Sequence, residues 1–390
     1  MISVNEALEA LLGLTQPLGA ETIPLAQASG RVLAKHALAD RDQPPFPASA
    51  MDGYALASER AKPGAEFTVI GESAAGHGFT SPVSTGQCVR IFTGAPVPEG
   101  CDRVIIQEDV TRTGDTIKLN ENLDPAHYVR AKGFDFKRGS SLDAPKLLGP
   151  NDIALLAAMN CPYIEVYRKP AVALISTGDE LVMPGDTPDQ DQIIVSNTFG
   201  LAAMLRKIGA DVRILPIARD NLHSLDQAFS LAKGADVIVT IGGASVGDHD
   251  LVSKAAERRG VERTFYKVAM RPGKPLMAGR IQNAVMIGLP GNPVSAMVCG
   301  TVFLTPVVRA LQGLGKSPVP RATAKLSHDV SENGPREHYM RAVYEAGNVQ
   351  IFDRQDSALL SILAASNALI VRPPNDRSRK KGDDVEIILL

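Results

Sequence analysis

Between Pro170 and Leu289, apolar runs at Ala171–Ile175, Val212–Ile217, Asp236–Ile241 and Ala284–Leu289 alternate with segments of helical composition at Asn197–Ile208, Leu222–Lys233 and Leu251–Arg259. Strand and helix in strict alternation imply a parallel sheet with its helices packed on the faces. Gly209, Gly234 and Gly260 stand just past each helix, where a left-handed residue commonly ends one. In such a doubly wound sheet, ligands bind beyond the carboxyl ends of the strands. Loops converge there, and helix amino termini present free N–H groups.

Five segments fall at that edge: Ser176–Glu180, Arg219–Asp220, Gly242–Asp250, Arg271–Lys274 and Leu289–Pro293. Thr177 and Gly178 belong to the first. In the third, Gly242, Gly243, Ser245 and Gly247 form a loop whose backbone can approach a phosphate or a pterin-like edge closely. It lacks the G-K-[ST] ending of a P-loop and the spacing of a dinucleotide fingerprint, so neither an ATPase nor a Rossmann dehydrogenase is supported. Glu180, Asp220 and Asp250 come from three strand ends, and carboxylates gathered in this way suit a hard cation such as Mg²⁺. The alternative for Asp250 is a cap on the helix that follows. Arg271 and Lys274 flank Pro272-Gly273, with Lys267 four residues before Arg271, and together they favour an anion unless they are simply solvated. Pro290, Gly291 and Pro293 stiffen the last loop and present Ser295 near a helix start, which attracts anions. His249 has no second histidine at ligand spacing and reads as solvent-facing.

The flanking regions differ in texture. Residues 1–40 show helical apolar spacing, including Ala28–Ala37; 41–129 carry short β-type runs among prolines and glycines; helical character returns at Asn151–Met159 with Asn151 as cap. These features predict a discontinuous domain from 1–40 and 130–170, an inserted β domain at 41–129, the α/β domain at 171–317 and a β domain at 318–390. The segment Pro47–Tyr54 is built to hold Asp52 still, or is a proline-rich linker turning at Asp52-Gly53.

Composition narrows the function. With 41 Lys and Arg against 43 Asp and Glu in 390 residues, the net charge is -2, so there is no basic footprint for nucleic acid or an anionic membrane. The four cysteines are scattered, with no C-x-x-C pair, and read as reduced thiols in a cytoplasmic protein. The amino terminus reads as an amphipathic helix, without the features of a signal peptide. Val294–Val308 is too short to span a bilayer and reads as a buried core helix.

Taken together, Ala50–Tyr54, Ile91–Ala95, Ser176–Glu180, Gly242–Gly247 with Asp250, Arg271–Pro275 and Leu289–Ser295 resemble the molybdopterin molybdenumtransferases, the MoeA and gephyrin E-domain family. The resemblance covers essentially the whole chain. It implies a multidomain α/β plus β fold: a central doubly wound parallel α/β domain (MogA-like), an inserted β domain and a small C-terminal β-barrel-like domain. It further implies a homodimer with a shared site, in which adenylylated molybdopterin accepts molybdate, with Mg²⁺, and AMP leaves.

By the same resemblance Asp52, Thr93, Asp135, Glu180, Asp220, Asp250, Lys267 and Arg271 occupy functional positions, with Asp250, Glu180 and Asp220 toward metal. The oxyanion would sit near Arg271, Lys274, Ser295, Arg341 and Ser357. Arg271 stands where the family often has lysine, so a planar fork replaces a point charge. Two other readings stay open: adenylyl transfer to molybdopterin, and a non-catalytic, gephyrin-like scaffold.

Overall fold

A computed structural model describes residues 1–243 and 251–390. Its centre is a six-stranded sheet in the order Asp211–Ile214, Ala171–Ser176, Val237–Ile241, Ala284–Leu289, Pro275–Ile281, Glu262–Lys267. The first four strands are mutually parallel. Pro275–Ile281 runs antiparallel to both neighbours, which returns Glu262–Lys267 to the direction of the parallel set. The apolar pattern did not mark this hairpin, because Pro275, Gly279 and Arg280 interrupt it.

Both faces are covered. Val172 and Leu174 point into one core shared with Leu201, Leu205, Phe303 and Val307; Ala173 and Ile175 point into a second with Leu225, Phe229 and Ala255. The first helix, Val4–Gly13, also buries Leu8 and Leu11 in the former core. It opens on a capping box in which the Ser3 N–H donates to Glu6 Oε2 at 2.7 Å and Glu6 N–H donates to Ser3 Oγ at 3.2 Å. Pro293–Leu311 is the one helical run among the described residues long and apolar enough to cross a membrane, and 78% of its apolar window is buried in this core. It widens to a π-turn at Gly300–Leu304 just before Pro306, which has no N–H to continue the regular ladder.

Residues 28–37 are not helical, contrary to their spacing. Leu25–Gln27 is a single 3₁₀ turn, and Val32–Leu33 and Ala37–Leu38 are short strands paired with residues 141–147 and 166. Gly30, with φ of +74°, breaks the segment, and pairing with distant chain overrides a weak local preference. Asn151 does not cap its helix either. The helix Pro150–Ala158 starts at Gly149, whose N–H donates to the Asp152 carboxylate at 2.9 Å.

Between these elements lies a six-stranded β unit containing Gly53–Leu56, Glu66–Ser73 and Gln87–Ile91, with its own core of Tyr54, Leu56, Phe67, Ile105, Ile117 and Leu119. At the carboxyl end, Ala322–Leu326, Glu337–Glu345, Asn348–Ile351, Ala368–Arg372 and Asp384–Leu389 close into a five-stranded barrel, since Glu337–Glu345 pairs with both Asn348–Ile351 and Ala368–Arg372. The hairpin of the α/β domain reaches this barrel. Met270–Arg271 adds a parallel two-residue strand against Glu337 and His338.

Candidate active site

Beyond the strand ends, backbone hydrogen bonds join the loops that the sequence singled out. Thr177 N–H donates to Ile241 O at 2.9 Å, Gly178 N–H to Ala218 O at 3.1 Å, and Gly242 N–H to Leu289 O at 3.1 Å. They enclose a cavity of about 930 Å³ lined by Thr177, Gly178, Glu180, Asp220, Gly242, Gly243, Pro290, Gly291 and Pro293, all expected site residues. Glycine is required here by space. A Cβ on Gly242, at φ +94°, would lie 2.7 Å from Thr177 O, and one on Gly243, at φ +63°, would lie 2.4 Å from Val252 Cγ2. Ser245, Gly247 and Asp250, with His249, lie outside the described residues.

The two described carboxylates of the expected metal set, Glu180 and Asp220, stand exposed on the cavity wall. Their neighbours hold the loops. Asp179 Oδ1 accepts the Asp220 N–H at 3.1 Å, and Arg219 donates to Asp179 O at 2.9 Å and to Leu181 O at 3.2 Å. Asp179 and Arg219 are thus committed to structure, and Glu180 and Asp220 face solvent. Among the described residues no cluster of three His, Cys, Asp or Glu side chains is placed to hold a metal.

Sequence reasoning missed three contributors. Asn197 donates from Nδ2 to Gly291 O at 2.7 Å, fixing the Pro290–Pro293 turn from the first turn of the neighbouring helix. Ser196-Asn197 directly ahead of a helical pattern was the available signal. Ile193 and Ile194 also line the cavity, although 58% and 41% exposed.

A second group gathers where the α/β domain meets the barrel. Asn292 and Ser357 are hydrogen bonded across this seam, and Val294 N–H donates to Ser357 O at 3.0 Å. Arg341 is 0% exposed, and its single guanidinium bond runs from Nη2 to Asp356 O at 3.1 Å. Among the described residues its Nε and Nη1, both buried, have no hydrogen-bond partner. Burial, the largest influence, weakens its hold on the proton; the Asp356 carboxylate opposes this and Arg271 adds to it. A buried guanidinium with two orphaned N–H groups is costly unless an anion completes it.

Arg271 and Lys274 are exposed on the hairpin, and Lys267 ends the strand beside them with its ammonium 5.6 Å from the Tyr266 ring centre. Ser295 is buried at 4% exposure in the helix that follows Pro293, and it does not line the cavity.

A third group lies in the inserted β unit. Asp52 Oδ1 accepts the Thr93 backbone N–H at 2.7 Å and the Thr93 hydroxyl at 2.8 Å. These bonds hold the carboxyl below its ordinary range, the backbone bond foremost, against a smaller opposing desolvation and with help from Arg90. Neither residue lines the sheet-edge cavity. Asp135 is exposed on a separate loop, where its N–H donates to Gln43 O at 2.9 Å. Burial pushes the Cys88 and Cys101 thiols up to about 12 and raises those of Cys161 and Cys299, which disfavours the thiolate at neutral pH.

Fold and site together define a multidomain α/β protein with a glycine-lined, carboxylate-edged crevice and an adjoining buried guanidinium that lacks a counter-anion. Comparison with known proteins narrows the class. Residues 2–160 match the "MoeA N-terminal region (domain I and II)", residues 173–310 a "Probable molybdopterin binding domain" and residues 323–390 the "MoeA C-terminal region (domain IV)". The chain is 34% identical to the molybdopterin molybdenumtransferase of Nostoc sp., covering 100% of this chain and 94% of that one. It is also 34% identical to that of Haemophilus influenzae, over 99% and 98%. The crystal structure of the molybdopterin biosynthesis moeA protein from Pyrococcus horikoshii superposes with a TM-score of 0.87 at 27% identity, over 100% of both chains. The chain belongs to the molybdopterin molybdenumtransferase, or MoeA, family.

Proposed function

We propose that the protein acts in molybdenum cofactor biosynthesis, inserting molybdenum from molybdate into adenylylated molybdopterin with release of AMP. The observation that carries this reading is Arg341. Its two orphaned, buried N–H groups beside Ser357 and Asn292 are what a tetrahedral dianion would satisfy through charge-assisted bonds. Arg271 and Lys274 add positive charge on the hairpin joined to the same barrel strand. The substrate's own dithiolene sulfurs would take the metal, so the cysteines of this chain are not needed.

The sheet-edge cavity suits the phosphorylated part of the substrate. Backbone at Gly242 and Gly243 lines it, and Asn197 fixes the adjoining Pro290–Pro293 turn. Glu180 and Asp220 are oxygen donors lining one cavity, and such donors suit Mg²⁺, which takes one or two carboxylates together with water and substrate phosphate; Asp250, the third expected ligand, lies outside the described residues. When bound, the ion would supply charge neutralisation at the phosphate oxygens. Asp52, held ionised by Thr93, sits apart from the cavity in its own chain, which favours a homodimer whose site is completed by the β unit of a second copy. Free cysteines and a net charge of -2 fit a cytoplasmic location without nucleic-acid partners.

Product analysis tests the reading. Adenylylated molybdopterin with Mg²⁺ and molybdate is expected to give AMP. Molybdopterin with ATP is expected to give no pyrophosphate, and pyrophosphate release would instead establish adenylyl transfer.

A further inference from the structure

We propose that Arg90 is a positioning residue that holds the backbone around Asp52, a role that rests on the reading of Asp52 as part of the active site. Arg90 lies on Gln87–Ile91 with Tyr54 as its cross-strand partner. Its fork grips both sides of Asp52. Nη1 donates to Gly53 O at 3.1 Å, and Nη2 donates to Gln107 Oε1 at 2.7 Å, while the Gln107 N–H donates to Asp52 O at 3.2 Å. The guanidinium also sits 5.1 Å from the Tyr54 ring centre and 4.8 Å from that of Phe92, the residue just before Thr93.

One side chain therefore touches the residue after Asp52, the residue that caps the Asp52 carbonyl, and the residue before its hydrogen-bonding partner. On the other side of its strand the register partner of Arg90 is Glu72, while the guanidinium itself contacts Gly53, Gln107, Tyr54 and Phe92. Its field reaches Asp52 and favours the ionised carboxylate. The facing strand approaches so closely that only glycine fits at position 53, where a Cβ would fall 2.0 Å from Ile105 O. Lysine would keep the charge and lose the planar two-point hold.

The test compares wild type, Arg90→Gln, Arg90→Lys and Asp52→Asn in single-turnover AMP release from adenylylated molybdopterin with molybdate and Mg²⁺ across pH, with thermal unfolding as the fold control. Arg90→Gln is expected to lower the rate by about tenfold or more, as small displacements of a reacting group do. Its acid limb is expected to move to higher pH, because Asp52 loses a neighbouring cation. Arg90→Lys is expected to restore the position of the limb but not the full rate. Wild-type rate and limb in Arg90→Gln, with Asp52→Asn inactive, would overturn the role of Arg90 alone. Should Arg90→Gln fail to fold, a wild-type rate in Arg90→Lys would overturn it equally. A wild-type rate in Asp52→Asn would remove the underlying reading of Asp52 and the proposal with it.

Discussion

Asn292 donates from Nδ2 to Ser357 Oγ at 2.9 Å, tying the last sheet-edge loop to the barrel that carries Arg341. A single hydrogen bond of this kind contributes about 1 kcal/mol. Its position gives it a further effect, since it sets the register between the helix start at Pro293 and the Arg341 guanidinium. Asn292→Ala is expected to raise the KM for molybdate about fivefold, in keeping with that energy, with kcat within about twofold of wild type. Steady-state kinetics at saturating pterin substrate check this, and an unchanged KM would show that the seam does not shape the anion site.

Arg341 carries a sharper expectation. Without ligand its two unpaired N–H groups are a liability, so Arg341→Met is expected to be no less stable than wild type and up to about 2 kcal/mol more so. Molybdate at about 100 times its Kd is expected to stabilise wild type by about 2.7 kcal/mol and to leave the variant unmoved. Thermal melts with and without molybdate decide this. Equal shifts in both proteins would place the anion elsewhere.

Much of this site was legible in the sequence because its parts are local. Gly242, Gly243, Gly178 and Pro290 declare close backbone approach through residue type alone, and alternating apolar runs place them at one edge. What could not be read depends on contacts across the chain. Asn197 reaches Gly291 over 94 positions; Arg341 was expected through the family resemblance, but its burial and its two nitrogens without a partner among the described residues could not be read from the sequence. The strands at 32–38 were hidden for the same reason, since their partners at 141–147 and 166 lie more than a hundred residues away. Ser295 was placed correctly near a helix start, but its burial turned it away from the cavity.

His338 adds a pH dependence that does not involve turnover. Burial first, and then the charges of Arg271, Arg341, Arg372 and Arg336 in that order, together lower its imidazole to about 4. Its Nε2 has no partner among the described residues. An unfolded histidine takes up its proton near pH 6.5, so the folded state is favoured fully above that value and loses stability as pH falls toward 4. The loss is expected to be about 3 kcal/mol over this window and to vanish in His338→Gln. Chemical denaturation at a series of pH values measures it, and parallel curves for the two proteins would contradict the assignment.

A site shared between copies is expected to complement. Asp52→Asn and Asp220→Asn, each inactive alone, change the β unit and the sheet edge respectively. Mixed in equal amounts and allowed to exchange subunits, they are expected to recover about a quarter of wild-type activity, because half the dimers are mixed and each mixed dimer rebuilds one intact site. No recovery after verified exchange would place Asp52 and Asp220 in one chain's site.

The most direct measurement is the rate of AMP release from adenylylated molybdopterin in a rapid-quench experiment with Mg²⁺, as molybdate is raised from zero. AMP release is expected to be slow without molybdate, to rise with its concentration and to saturate, and Arg341→Met is expected to abolish the rise. A rate that does not change with molybdate, or an equal rise in Arg341→Met, would contradict an oxyanion-dependent site built around that arginine.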